Sequence, residues 1–455
     1  MYRLLLGVVC VVACGKSKEG ETPRLITEAE IAAYEAALMG RIAETRSRTC
    51  KRPVLRGRPV PGTAAADLHA LAQPAGELAT CDAQLAKLGN ITAAAAARDA
   101  AFVAIVHECG PRYEAALVKA VAHEDACSPY QAGVLTAQSL ISTLRTARVI
   151  GVRAVDRAAA GDAVGGLWLV LDAMRFADDL ARGHTSMLDL MIAVAVSNTL
   201  ADYAFEIVAA HPLPPEKAAE LSAALGILLA HQQPFADTFR GERDLMDLHY
   251  ALAPLKPKEW VPPGGWPEGK DTRAGARGEL LTKNPRDEHA ILFLTSEGFA
   301  RDTAAACPPT ATLEACAKAF GEAAPATEHD QASLAKIYDE LANARDLDAA
   351  RLKIRGALVD VLGAVARPAF GDYVRKRGNA IAKLAAVRIH LELGRRAASG
   401  TCPPTIDLPD ELLAPHGLGG RMQLTVTNDG VGIAPPAWAA GTKTPPLPAW
   451  KCPAK

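Results

Sequence analysis

Aromatic residues make up only 5% of this 455-residue chain, against 49% hydrophobic residues overall. Cores must therefore be built from alanine and aliphatic side chains, which favours close helix packing. Charge of one sign is also missing: 50 Lys and Arg against 51 Asp and Glu leave a net charge of −1. Binding to nucleic acid through phosphate contacts calls for a basic surplus, so no nucleic-acid partner is expected. Beyond the first residues, no stretch of about 18 or more uninterrupted apolar residues occurs. The nearest, MLDLMIAVAVSNTLADYAF at 187–205, contains Asp189, Asn198 and Asp202. It reads as a buried helix whose polar groups hydrogen-bond across helix packing, not as a membrane span.

Catalytic and cofactor motifs are equally scarce. His107-Glu108, His123-Glu124 and Glu288-His289 all lack the second histidine of the zinc-protease helix. No Gly-x-Ser-x-Gly elbow is present. HGLGGR at 416–421 leads into a strand pattern instead of opening a helix, which excludes a dinucleotide loop. No cofactor is implied. Asp172, Asp178 and Asp179 lie near Arg175 and Arg182 at helical spacing, which predicts salt-linked surface pairs.

What is present begins at the N-terminus. In VVACGKSK (11–18), Gly15-Lys16-Ser17 resembles the end of a phosphate loop, but the glycine required five residues earlier is Cys10. Arg3 is a short basic segment, and Leu4 to Ala13 is apolar, of secretory length and too short to span a bilayer. Val11, Val12, Ala13 and Cys14 resemble the recognition site of bacterial lipoprotein signal peptides. That resemblance implies a signal at 1–13, cleavage after Ala13, acylation of Cys14 and a flexible tether over 14–24. It also implies anchorage in the cell envelope through lipid, with Gly15 after the cysteine pointing to the outer membrane, facing the periplasm.

Eight cysteines remain: Cys50, Cys81, Cys109, Cys127, Cys307, Cys316, Cys402 and Cys452. An even number in an exported chain predicts disulfides. Cys307 and Cys316 flank PPTATLEA and can clamp a loop onto the helix it enters, and Cys402 and Cys452 bracket the C-terminal segment. Pairing among the first four stays open, although one predicted helix separates Cys109 from Cys127. The competing reading is a zinc site from His107, Cys109, His123 and Cys127, which has suitable ligand types but no C-x-x-C spacing.

Along the chain, the pattern predicts a mainly α fold. Thr27-Glu28-Ala29-Glu30 is a capping box before Ile31, Tyr34, Leu38 and Ile42 on one face. Helices are predicted near 64–79, 82–108 and 112–126, the last two separated by Gly110-Pro111. A helix, a Gly161-Asp162 turn and a second helix closed by Gly183 follow, with Val164, Leu167, Leu171 and Met174 on one side. Ser186 opens the apolar helix, and Pro215 sits in the first turn of another. Repeated helix–turn–helix units argue for an irregular hairpin bundle or solenoid. One hairpin resembles a degenerate tetratricopeptide unit, without that family's regular period. Residues 25–250 form an N-terminal helical domain and 251–285 a Pro/Gly-rich linker or excursion loop. Residues 286–396 form a second helical region, with helices near 286–301, 312–320, 331–343, 347–365 and 370–396.

Residues 397–455 read as a small α+β module. Leu424, Val426, Val431 and Ile433 flank Asn428-Asp429-Gly430, a hairpin signal. Long helix, Gly400 to Ile406 turn, short helix, glycine loop and hairpin together resemble the C-terminal half of pseudopilin-like modules, with Cys402 where tyrosine is usual. The pseudopilin processing site is absent, so a pilus is not implied. The whole order resembles large helical exported proteins of GC-rich bacteria, a likeness that brings no activity with it. Two basic stretches remain, Arg41 to Arg58 and 374–396. The second reads as a packed amphipathic helix with a basic edge, the rival being a surface for anionic lipid or an acidic partner. The expected function is a membrane-anchored docking or assembly component with an envelope protein partner. The alternatives are an envelope hydrolase acting on glycan or peptide, and a hydrophobic-ligand-binding protein.

Overall fold

A computed structural model describes residues 49–89, 99–127, 137–183, 187–241, 303–321, 347–398, 407–439 and 446–452, with isolated helical positions between 33 and 44. The chain is mainly α, with a small antiparallel sheet near its C-terminus. It forms two compact units, each assembled from separated stretches. The first comprises Arg48–Thr238, Thr310–Ala315 and Tyr373–Lys455; the second comprises Met1–Ser47, Phe239–Pro309 and Cys316–Asp372.

The first unit begins with strand β1 (Val60–Thr63), helices α1 (Ala65–Ala72), α2 (Glu77–Lys87) and α3 (Ala100–Val121), and strand β2 (His123–Asp125), which pairs parallel with β1. Helices α4 (Ala137–Ala159), α5 (Ala163–Leu180), α6 (Met187–Ala210) and α7 (Pro215–Ala230) follow. The turn between α4 and α5 is the predicted one. Gly161 takes φ +94°, a left-handed conformation open to glycine, and the Asp162 carboxylate caps α5 by accepting from Gly165 N at 2.8 Å. Pro215 occupies the first turn of α7, where its missing N–H has no intrahelical partner to lose. Helices α4, α5 and α6 pack mutually, and every residue of α5 from Gly166 to Leu180 is buried. Gly151 on α4 lets the Tyr203 ring of α6 lie directly on the helix backbone.

Several boundaries differ from the sequence expectation. Helices do not run over 64–79 and 82–108: the breaks fall between Gln73 and Gly76, and at Gly89. Conversely, α3 continues through Gly110-Pro111. Pro111 faces solvent, as does His107 one turn earlier, so water can satisfy the carbonyl that Pro111 leaves without a donor. Buried Gly110 gives room to the Arg153 stem of α4, which holds the helix in place. The helices expected at 347–365 and 370–396 are one helix, α9 (Leu347–Ala397), preceded in the chain by α8 (Leu313–Gly321). The helix expected from Thr27 lies largely outside the described residues. So do those near 286–301 and 331–343, and the 251–285 segment.

Residues 373–397 of α9 belong to the first unit. Arg388 Nε donates to the Ser222 carbonyl at 3.0 Å, and Lys383 donates to the Asn198 carbonyl at 3.2 Å while pairing with exposed Asp202. Arg395 and Arg396 close on Glu392. This basic stretch is a packed helix edge. Buried His390 meets Phe205 edge-on and places Nε2 2.9 Å from the Pro448 carbonyl, fastening the end of the chain. The module beyond contains α10 (Asp410–Leu413), then β3 (Gln423–Thr427) and β4 (Gly430–Ala434), paired antiparallel around Asn428-Asp429. A third strand not foreseen from sequence, β5 (Trp450–Lys451), pairs with β4. It passes so close to Gly430 that a Cβ there would meet the Trp450 carbonyl.

The α4–α6 contact is the place to test this packing. Gly151→Ala is expected to lower stability by about 1–3 kcal/mol, because Tyr203 has no room to yield without moving α6. Urea unfolding followed by circular dichroism measures it.

Candidate functional site

The carboxylates and arginines of α5 do not lie on the surface. Asp172, Arg175, Asp178 and Asp179 are 2%, 0%, 6% and 0% exposed, which overturns the expectation of solvated pairs. The spacing of three and four residues is as read, but α5 is covered on all sides and has no solvent face to offer.

Partners reach these groups from distant parts of the chain. Arg52, from the first basic stretch, donates Nη1 to Asp178 Oδ2 at 2.7 Å and Nη2 to the Arg175 carbonyl at 2.8 Å. Its Nε stands 2.9 Å from Asp179 Oδ1 with the N–H out of line, so Asp179 receives charge without an aligned hydrogen bond. Arg182 Nη2 donates to Asp178 Oδ2 and to the His231 carbonyl, the latter at 2.7 Å. Arg175 gives Nη1 to the Pro53 carbonyl and Nη2 to the His123 carbonyl, both at 2.7 Å. Arg377, from the second basic stretch, donates Nη2 to the Gln233 carbonyl and lies over the Phe235 ring, 5.9 Å from its centroid. At the outer edge Arg56 pairs with Asp172 at 2.5 Å and lies over Trp168, 5.1 Å from its centroid.

Burial works against both central carboxylates. At Asp178, Arg182 and Arg52 outweigh it and hold the pKa below the usual carboxylate range. At Asp179 burial prevails over Arg52, Arg175 and Arg182, and the charge of Asp178 adds to the rise. Burial lowers Arg377 and Arg175 to about 10 each. It pushes Asp172 up to about 6 against the pull of Arg56.

A crevice of about 20 Å³ adjoins Asp178 and Arg377, walled by Leu190, Val194, Ile381 and Leu384, with room for about one or two waters. Carboxylates driven apart in pKa are the raw material of acid–base chemistry. Here, however, Asp179 is sealed and Asp178 Oδ2 is already engaged by two arginines. The arrangement acts as a closed ion network in which each charge is tolerable because the others are present.

The cysteines fall into separate places. Cys50 bonds Cys127, Cys81 bonds Cys109 and Cys307 bonds Cys316. Cys452 is also disulfide-bonded, while Cys402, its expected partner, lies outside the described residues. The proposed zinc set is not assembled: Cys109 and Cys127 are in different disulfides and His107 is exposed. His123 is buried with Nε2 3.6 Å from Asp67. Among the described residues no group of three or more His, Cys, Asp or Glu is placed to hold a metal.

Sequence reasoning found the α5 residues and both basic stretches, but it read the α5 charges as surface pairs and the second stretch as a packed helix with a basic edge. It did not connect Arg52 or Arg377 with Asp178, because separations of 126 and about 200 residues leave no local periodicity. The chain matches no protein-family model, no curated protein and no solved structure.

Arg52→Met is expected to destabilise the protein by about 3–5 kcal/mol, since it leaves Asp178 and Asp179 short of a cation. Denaturant titration at neutral pH checks this. Asp172 provides a pH signature. Its folded pKa lies above its unfolded value, so its contribution is fully present below about pH 4 and is lost as pH rises through about 6. Relative to Asp172→Asn, the wild type should lose on the order of 3 kcal/mol across that window, read from unfolding midpoints at stepped pH.

Proposed function

We propose that this chain is a lipid-anchored protein of the bacterial cell envelope, most simply at the outer membrane facing the periplasm, where it acts as a non-catalytic docking or assembly component. The observation that carries the reading is the state of the cysteines. Every cysteine among the described residues is disulfide-bonded, two of the bonds spanning 77 and 28 residues of chain. Bonds of this kind persist in oxidising compartments and are rare in the cytosol. This agrees with the lipoprotein signal read at Val11 to Cys14.

The docking role is favoured over its rivals by what the interior charges are doing. Glycoside hydrolysis needs two carboxylates facing each other across an open cleft. Asp178 and Asp179 face arginines instead. A carrier for a hydrophobic ligand needs a cavity of roughly 300–1,000 Å³. Among the described residues the crevice beside α6 has about 20 Å³. Docking requires only a rigid helical stack with a persistent surface, which a closed core supplies.

The test is the intact mass of the protein taken from native membranes, with free thiols alkylated before denaturation. A chain beginning at Cys14, carrying acyl groups and unalkylated, is expected; one retaining Met1 with alkylated cysteines would overturn export and anchorage together. The purified protein is further expected to release no product from cell-wall glycan or peptide fragments. A product that disappears in Asp178→Asn would make it a hydrolase.

A further inference from the structure

The Cys50–Cys127 bond sits where the chain enters the first unit, which begins at Arg48. Three hydrogen bonds lay the segment after it along β2. Cys50 N donates to Asp125 Oδ1 at 3.0 Å, Arg52 N to the Glu124 carbonyl at 2.8 Å, and Ala126 N to the Cys50 carbonyl at 3.3 Å. Two residues beyond the bond, Arg52 turns inward to Asp178 and Asp179. From the other side Arg175 reaches out to the Pro53 and His123 carbonyls, one on each of the two segments that the disulfide joins. The bond and the ion network thus hold the same two segments.

The bond also differs in access from Cys81–Cys109 and Cys307–Cys316, although Cys452 is half-buried like Cys127. Cys81, Cys109, Cys307 and Cys316 are each no more than 1% exposed, whereas Cys127 is half-buried. Residue Cys127 is thus partly open to solvent, unlike the four cysteines of those two bonds.

We infer that Cys50–Cys127 is a redox-sensitive latch: it keeps Arg52 in the buried charge cluster, and its reduction frees the entry segment 48–56 while the helices stay folded. The chemistry is thiol–disulfide exchange with a dithiol. One thiolate of the dithiol attacks a latch sulfur, forming a mixed disulfide and releasing one cysteine thiolate. The second dithiol sulfur then displaces the other cysteine, and the products are two cysteine thiols and a cyclic oxidised dithiol. Two electrons pass from dithiol to latch. With the latch open, those three hydrogen bonds and the ion pairs alone must hold Arg52 against hydration of its guanidinium. The inference rests on the geometry of the first unit and is independent of the lipid anchor.

Native-state hydrogen exchange by mass spectrometry on the full-length Cys50→Ser/Cys127→Ser variant tests it, the other disulfides remaining intact. Amides of 48–56 and 122–127 should exchange roughly tenfold faster or more than in the oxidised wild type, while α5 and α6 keep their protection, the signature of local opening. Trypsin should gain a cleavage after Lys51, the Arg52–Pro53 bond being closed to it. Unchanged exchange in the two segments would overturn the latch, and an equal loss throughout the unit would make the bond a general stabiliser instead. If the variant does not fold, the same reading comes from wild type titrated with dithiothreitol and trapped by alkylation. Cys50 and Cys127 should be alkylated first, in step with deprotection of 48–56. Earlier alkylation of Cys81 and Cys109, or alkylation of the latch without deprotection, would overturn it.

Discussion

Asp178 and Asp179 are adjacent carboxylates on a helix without a solvent face, and the first unit is arranged around the need to bring cations to them. Removing an ionised group from water costs several kcal/mol even after relaxation, and the cost is offset only by well-placed opposite charge. Arginine suits the task because one planar guanidinium can bond a carboxylate and a carbonyl at once. Arg52 does so with Asp178 and the Arg175 carbonyl, and Arg182 with Asp178 and the His231 carbonyl. Arg52 brings the entry segment to α5, and Arg182 ties α5 to the end of α7. The entry segment, the strand after α3, the end of α7 and the C-terminal half of α9 are therefore fixed relative to one helix.

The same network explains why the Asp178–Asp179 cluster is ill suited to chemistry. A general acid or nucleophile must meet a substrate atom, and the carboxylates here meet guanidinium groups. Their pKa values are displaced in opposite directions, but both displacements follow from burial and from the unequal share of arginine each receives. Perturbed titration is a frequent mark of active sites and also of structural ion networks; closure of the cluster places it with the latter. The disulfides act at another level. On the chain-entropy model the Cys50–Cys127 crosslink restricts the unfolded chain by about 4 kcal/mol. That reserve helps a helical unit with few aromatic anchors to carry a charged core.

Much of the fold was legible because local chemistry wrote it. Asp162 behind Gly161 marks a helix start wherever it occurs, and Asn428-Asp429-Gly430 between alternating apolar residues marks a hairpin. The misreadings share one cause. Gly110-Pro111 ordinarily ends a helix, yet Pro111 faces water and Gly110 receives a neighbour's side chain, so α3 continues. The break expected between 365 and 370 is likewise absent, and α9 runs through Pro368. The short β5 carries too few residues for a pattern and exists because β4 offers it an edge. Half of the charge cluster was visible as well. Asp172, Arg175, Asp178, Asp179 and Arg182 stand out at helical spacing, but spacing describes a face without saying what covers it.

The sequence by itself determined the helical class, the principal turns and the even set of cysteines. These depend on residues within a few positions of one another, where dihedral preference, capping and periodicity act. The tertiary structure alone decided which cysteines pair, that α5 is central, and that Arg52 and Arg377 arrive beside Asp178. Those outcomes depend on which helix covers which, and burial converts an ordinary surface pattern of charge into the constraint that holds the unit together.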